Sequence, residues 1–264
     1  MRAFLTALLK PEKEVLDINN LVPSTIASSR QLFDEISGVS ASDLLPDEID
    51  RLRPAIYRQN AMESEELIYH KIHDAWIRLP DGEPLIPADV TRAVIYIIRN
   101  PLDVAVSFAH HLHTSIDKTI DIMNNPQYAF CDRRDRLANQ LRQRLLTWSG
   151  HIRSWVDESG LRVCVMRYED MSAKPEVTFT KAIDFIGLHH SPAEIRAALE
   201  LCNFSRMQKQ EEEKGFSEKN ARFPSFFRKG TVGDWRNVLS RDHVMRITGE
   251  HGTMMARFGY GDEW

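Results

Sequence analysis

Three groups of residues in this chain have types and spacings suited to chemistry. Lys71-Ile72-His73 ends a run that starts at Leu67. If that run is a strand, alternation puts Lys71 and His73 on one face. An imidazole with an ordinary pKa of about 6.5 can accept a proton at neutral pH. The second group is Arg99-Asn100-Pro101-Leu102-Asp103, with Ser107 two turns further on. Asn100 is a good helix N-cap, Pro101 is preset for the first helical position, and Asp103 complements the helix dipole. A helix start of this kind presents unpaired N–H groups, and Arg99 adds a forked cation beside them. The same residues also fit a plain helix start with Arg99 paired to a carboxylate. The third group is Arg228-Lys229-Gly230. A planar guanidinium takes two phosphate oxygens, the lysine adds a point charge, and glycine lets a backbone N–H approach closely.

His110, His111 and His113 invite a metal reading, because residues three apart share a helix face. No acidic or cysteine partner stands beside them in a recognisable motif. They are read as flanking a pocket or as helix surface, and no metal is expected.

The elements that must position these groups follow from the apolar pattern. Ala93–Ile98 and Arg162–Met166 are short apolar runs, rich in β-branched residues and too short for typical helices. Leu67–Ile72 is a third strand candidate. Helical patterns cover Pro101–His113, Arg134–Glu158 before Gly160, Pro175–Ile186 before Gly187, and Pro192–Leu201. Strands alternating with helices predict an α/β fold, a parallel sheet flanked by helices. Ligands of open parallel sheets lie at the carboxyl ends of the strands, where Arg99 follows its strand. The stretch from Gly215 to Asp234 has little periodicity and reads as a long ordered loop, of the kind usually kept for function. Met1–Leu9 reads as the end of a buried helix. It is too short and lacks the cleavage pattern for a signal peptide.

Composition narrows the function classes. The 264 residues carry 34 Lys and Arg against 38 Asp and Glu, a net charge of −4. There is no global positive field for nucleic acid or an acidic membrane, so any anion site is local. Three widely spaced cysteines, Cys131, Cys164 and Cys202, argue against a disulfide framework and a structural zinc, and fit a reducing, cytoplasmic location. No apolar run approaches the roughly 20 residues that span a bilayer. One domain over residues 1–264 is expected, and its oligomeric state is open.

Four segments, in order along the chain, resemble the cytosolic type of sulfotransferase that uses 3′-phosphoadenosine 5′-phosphosulfate (PAPS). They are Lys71-Ile72-His73, where the family has Lys-Thr-His; Ile95 to Ser107; Tyr168-Glu169-Asp170-Met171, continuing to Phe185-Ile186-Gly187; and Phe226-Phe227-Arg228-Lys229-Gly230 with Gly233-Asp234-Trp235. The resemblance implies a P-loop NTPase-like sulfotransferase fold that transfers a sulfuryl group to a hydroxyl or amine of a small-molecule acceptor. It implies that His73 is the base, that Lys71 stabilises the departing phosphate, and that Arg99, Ser107, Arg228, Lys229 and Gly230 hold the 3′-phosphate. Tyr168 would contact the adenine. Phe204, in Asn203 to Met207, resembles a segment packing near the base, although Phe204 and Met207 three apart on a helix also suit a core.

Members of that family carry an early loop of the Pro-Lys-Ser-Gly-Thr-Thr-Trp type that cradles the 5′-phosphosulfate. This sequence holds no such stretch, and Met1-Arg2-Ala3-Phe4-Leu5 resembles the helix after it. The expectation is an N-terminally truncated fold with weak or no catalysis. A start placed too far downstream, a truncation or gene remnant, and a real loss of donor activation are the open explanations. The alternative function is a catalytically impaired nucleotide-binding homologue. A nucleotide kinase would need a Walker-type Gly-Lys-Ser or Gly-Lys-Thr and magnesium ligands, and neither is present. The acceptor cannot be read from variable loops.

Overall fold

The computed structural model describes residues 1–10, 16–21, 24–132, 138–219 and 225–261. The elements in chain order are α1 (Arg2–Leu9), β1 (Ser24–Ile26), α2 (Arg30–Ser37), α3 (Pro46–Glu63), β2 (Tyr69–Lys71), β3 (Val94–Ile98), α4 (Pro101–Leu112), α5 (Ile116–Met123) and β4 (Ala129–Phe130). They continue with β5 (Gln143–Arg144), α6 (Trp148–Arg153), β6 (Val163–Arg167), α7 (Tyr168–Ala173), α8 (Pro175–Phe185), α9 (Pro192–Leu201), α10 (Phe204–Lys214) and α11 (Arg241–Arg257). β3 pairs with β6 in the parallel sense, β1 with β2, and β4 with β5 in antiparallel register, Phe130 opposite Gln143.

The chain divides into two compact units, one of residues 1–24 and 166–234, the other of residues 25–165 and 235–264. In the first, Phe4, Leu5, Ala7 and Leu8 of α1 are buried, and the Phe4 ring lies 4.5 Å from that of Phe179 on α8. The helix expected in Met1–Leu9 spans Arg2–Leu9. α9 starts in a capping box, Ser191 accepting from the Glu194 amide while the Glu194 carboxylate accepts from the Ser191 amide.

The second unit is built around Ile98, Leu102, Ala105, Val106, Ile120, Ile152, Ile247, Met255 and Tyr260, drawn from β3, α4, α5, α6, α11 and the residues after α11. β3 supplies one residue of that core, and α4 turns its Leu102, Ala105 and Val106 stripe onto the same cluster, spaced as one helix face requires.

One predicted helix is corrected. Of Arg134–Glu158, residues 134–137 lie outside the described residues, residues 138–147 are not helical, and helix begins at Trp148. β5 pairs there with β4, and the Arg144 carbonyl accepts from the Ala75 amide at 2.8 Å, so distant partners claim the backbone that a local helix would use. Thr147 then caps α6 by accepting from the Gly150 amide at 3.0 Å. The helix widens to a π-turn over Ser154–Glu158, where an extra residue per turn redirects side chains. The strand expected over Leu67–Ile72 shortens to Tyr69–Lys71.

Candidate functional site

β2 stops at Lys71, and residues 73 to 76 run on outside any strand. Their backbone is nevertheless held group by group. His151 Nε2 bonds the His73 carbonyl at 3.1 Å, Trp155 Nε1 donates to the Asp74 carbonyl at 2.9 Å, and the Trp76 amide donates to Ser154 Oγ at 3.1 Å. α6 and its π-turn thus hold three of the four residues of this segment. From the other side the Asp74 carboxylate takes a two-pronged bond from Arg53 on α3, Nη2 to Oδ2 at 2.7 Å and Nη1 to Oδ1 at 3.1 Å. Arg53 is 1% exposed, and its Nε also donates to the Tyr57 hydroxyl, which donates to the Ala27 carbonyl. A buried bidentate pair fixes geometry more than it adds stability.

The His73 ring is placed by this frame. Its Nδ1 lies 2.8 Å from Gln143 Oε1, and Phe130 packs edge-on at 6.0 Å. Burial first, and the nearby Lys71 charge second, push the His73 pKa below the ordinary histidine value, so the ring is neutral at pH 7. No described residue is hydrogen-bonded to Nε2. His151 is half-buried and neutral for the same first reason. Because a carbonyl only accepts, its Nε2 carries the proton, and Nδ1 accepts from the Tyr96 hydroxyl at 2.8 Å.

His73 opens into a cavity of about 300 Å³ within this unit. Phe108, Tyr128, Phe130 and Trp148 contribute aromatic walls, and Arg99 stands on the lining too. Two residues separated by the length of one connection in sequence are therefore brought to one hollow. The helix start after β3 is as predicted: Asn100 Oδ1 accepts from the Leu102 amide at 3.0 Å, and Pro101 opens α4. Asp103 is 1% exposed and does more than complement a dipole: it accepts from the Trp235 amide at 3.1 Å and lies 3.8 Å from Arg99 Nη2. Ser107 is exposed on α4 and does not line the cavity. Lys71 is half-buried and off the lining, close enough for its charge to act on His73 and His111.

The other unit holds the remaining predicted residues. Gly230 has φ +62, and a Cβ there would come within 2.8 Å of the Phe204 ring. Glycine is required by both the backbone and the contact. Phe204, first residue of α10, packs edge-on against Phe227 at 6.0 Å. Further along α10, Gln208 donates to the Phe227 and Arg228 carbonyls, and buried Glu211 accepts from the Phe226 and Phe227 amides. Arg228 and Lys229 both reach Asp234, at 3.0 and 2.8 Å, which holds the Asp234 carboxyl below its ordinary pKa. Two cations against one carboxylate leave a local excess of one positive charge, and the donor set suits a phosphate. Tyr168 opens α7 directly after β6 and is half-buried.

Gln143, His151 and Tyr96 act on the site and were not anticipated. For His151 a signal existed, since it falls between Trp148 and Trp155 on the inward face of a helix. Nothing local marks Gln143. Among the described residues no group of His, Cys, Asp and Glu is gathered as metal ligands, and no helix is long and apolar enough to cross a membrane.

Comparison with known proteins adds the following. The family model for the sulfotransferase domain matches residues 85–259, more than half of the chain. Cytosolic sulfotransferase 16 of Arabidopsis thaliana is 27% identical over 186 residues, 65% of this chain and 53% of that protein. Flavonol 3-sulfotransferase of Flaveria bidentis is 26% identical over 166 residues, 58% of this chain and 52% of that protein. The chain spans about half the length of the curated relatives it matches. Among solved structures, a mouse sulfotransferase complexed with PAP superposes with a TM-score of 0.54 at 18% identity, covering 90% of this chain and 84% of that one. Retinol dehydratase in complex with androsterone and inactive cofactor PAP gives 0.57 at 15% identity, covering 96% and 76%. These likenesses show a shared α/β fold.

Proposed function

This chain belongs to the sulfotransferase domain family, and from that premise we propose that it transfers a sulfuryl group from PAPS to a hydroxyl, or an amine, of a small-molecule acceptor. PAPS, when bound, supplies the activated sulfuryl group and leaves as adenosine 3′,5′-bisphosphate. The single observation that carries the proposal is His73: a neutral imidazole with one nitrogen hydrogen-bonded and the other unengaged, lining the same cavity as Arg99.

His73 Nε2 takes the proton from the acceptor hydroxyl as the acceptor oxygen forms its bond to sulfur and the sulfur–oxygen bond to the 5′-phosphate breaks. A placed base of this kind is worth roughly 10²- to 10⁴-fold. Lys71 offsets the charge that grows on the departing phosphate. Arg99 and Ser107 serve as phosphate ligands in the unit that holds the cavity. In the other unit Arg228, Lys229 and Gly230 do the same for the 3′-phosphate, and Tyr168 and Phe204 serve the base. The aromatic and aliphatic walls favour an acceptor with an apolar, planar body. A cytoplasmic location fits the names of the plant relatives.

The test is production of adenosine 3′,5′-bisphosphate when the 264-residue chain is mixed with PAPS and a panel of phenols and alcohols, beside a calorimetric titration with adenosine 3′,5′-bisphosphate. Turnover that depends on His73 supports the transferase. Binding without turnover supports the nucleotide-binding homologue instead, and absence of both removes the proposal.

A further inference from the structure

We infer that Gln143 is a positioning residue for this site: its side-chain carbonyl holds the proton of His73 on Nδ1 and so keeps the Nε2 lone pair turned toward the acceptor. The inference deepens the transferase proposal and takes His73 as base from it.

A neutral imidazole has one protonated nitrogen, and its role as acceptor or donor depends on which. Gln143 Oε1 or Nε2 can face His73 Nδ1, according to how the amide is turned. Were the amide nitrogen to face Nδ1, Nδ1 would be the acceptor, Nε2 would carry the proton, and His73 could not serve as a base toward the cavity.

The surroundings of Gln143 settle the amide. Its Nε2 lies 3.2 Å from the Leu141 carbonyl, 3.1 Å from Gln140 Oε1 and 3.8 Å from Cys131 Sγ. A backbone carbonyl only accepts, so the NH₂ group must point at Leu141. With the amide turned over, two carbonyl oxygens would face one another in a site where Gln143 is 1% exposed, and an unpaired buried acceptor costs about 1–3 kcal/mol. Gln140 Oε1, which also accepts from Ser28 Oγ at 3.1 Å, is the second acceptor for the amide hydrogens. With both amide hydrogens committed, Oε1 is left for His73, 2.8 Å away, and Nδ1 must be the donor.

The scaffold holds this geometry rigidly. Gln143 sits in the short ladder opposite Phe130, which packs edge-on against the His73 ring. The residues on either side are tied to the same segment as His73, for the Arg53 guanidinium donates to the Arg142 carbonyl at 3.1 Å and the Arg144 carbonyl accepts from Ala75. The charged and titratable groups that face His73 are Lys71, Asp74, His111 and His151. None of them bonds Nδ1, so the tautomer rests on the amide.

The test is long-range proton–nitrogen NMR of the ¹⁵N-labelled full chain, without substrate and above the His73 pKa, with the His73 ring assigned by its loss in His73→Ala. In the wild type Nδ1 is protonated and Nε2 has the shift of an unprotonated nitrogen. Gln143→Leu removes the acceptor and moves the ring mainly to the Nε2–H form. Turnover then falls about 10- to 100-fold, within the roughly 10⁴-fold that a wrong tautomer costs a catalytic triad. Gln143→Glu keeps Nδ1 protonated and moves the acid limb of the pH–rate profile to higher pH, because a carboxylate favours the imidazolium. A wild-type ring protonated on Nε2 overturns the inference, as does Gln143→Leu with an unchanged ring. Should the leucine variant not fold, the wild-type spectrum and the glutamate variant decide. The tautomer needs no turnover to be seen, so an inactive chain would sink the transferase proposal while the proton position set by Gln143 is still read independently.

Discussion

His151 reaches across from α6 and bonds the main-chain carbonyl of His73 through Nε2 at 3.1 Å, so one neutral histidine positions the backbone of another. The Tyr96 hydroxyl at 2.8 Å from Nδ1 keeps the first ring in the tautomer that can donate. Replacing His151 by Phe removes the donor while filling the space. The expected outcome is a loss of about tenfold in kcat, about 1.4 kcal/mol in the barrier, with nucleotide affinity within about twofold. Tyr96→Phe spares the carbonyl bond and loses less. Steady-state kinetics with calorimetric titration check both, and a His151→Phe enzyme with unchanged kcat would show that the contact is structural only.

The pH dependence of turnover follows from the cause of the His73 displacement. Burial, then Lys71, lower its pKa, so the base form is present at neutral pH and is lost as pH falls through a value beneath the ordinary 6.5. Lys71→Met removes a charge that disfavours the imidazolium. The acid limb of the kcat/KM profile therefore moves to higher pH while the plateau falls, since the departing phosphate loses a cation. A limb that stays in place, or moves down, would break the link between these two residues.

Gly230→Ala tests the loop of the other unit. The new methyl would enter the Phe204 ring at 2.8 Å on a backbone already at φ +62, a region that costs ordinary residues about 1–2 kcal/mol. Affinity for adenosine 3′,5′-bisphosphate is expected to fall roughly tenfold or more, about 1.4 kcal/mol. Gly82→Ala is the control, because Gly82 has φ +87 but nothing within 4 Å of its added methyl. That variant loses some stability and keeps its affinity. Equal affinities for the two variants would refute the role of the Phe204 contact.

What could be read from sequence divides along the range of the forces involved. The turn after β3 was legible because its determinants are neighbours: Asn100 caps an amide two residues away and Pro101 sets its own φ. α8 and α9 were legible for the same reason, each with Pro at its start. The stretch 138–147 was not, since Gln143 and Arg144 form a strand only because Ala129 and Phe130 lie opposite. The proton-bearing network of Gln143, His151 and Tyr96 joins residues up to 78 positions apart, from His73 to His151. Hydrophobic period carries no record of such pairings. Phe204 and Gly230 were each singled out separately, and their contact gives a physical reason for both.

His251 offers a test that needs neither substrate nor nucleotide. It is 1% exposed on α11, bonded through Nδ1 to Ser149 Oγ at 2.9 Å, with Nε2 buried and without a partner. Burial pushes its pKa from 6.5 down to about 4. A histidine whose native pKa lies below its unfolded value contributes nothing adverse above about pH 6.5. As pH falls further, the unfolded chain takes up a proton that the native chain refuses, and stability declines until about pH 4. The full displacement amounts to up to about 3 kcal/mol. His70, His73 and His151 are lowered by burial too and act with the same sign. His251→Leu should therefore flatten the fall in urea-unfolding free energy between pH 6.5 and 4.5 without abolishing it. A leucine variant with the wild-type slope would mean that His251 takes up its proton in the folded state as readily as in the unfolded chain.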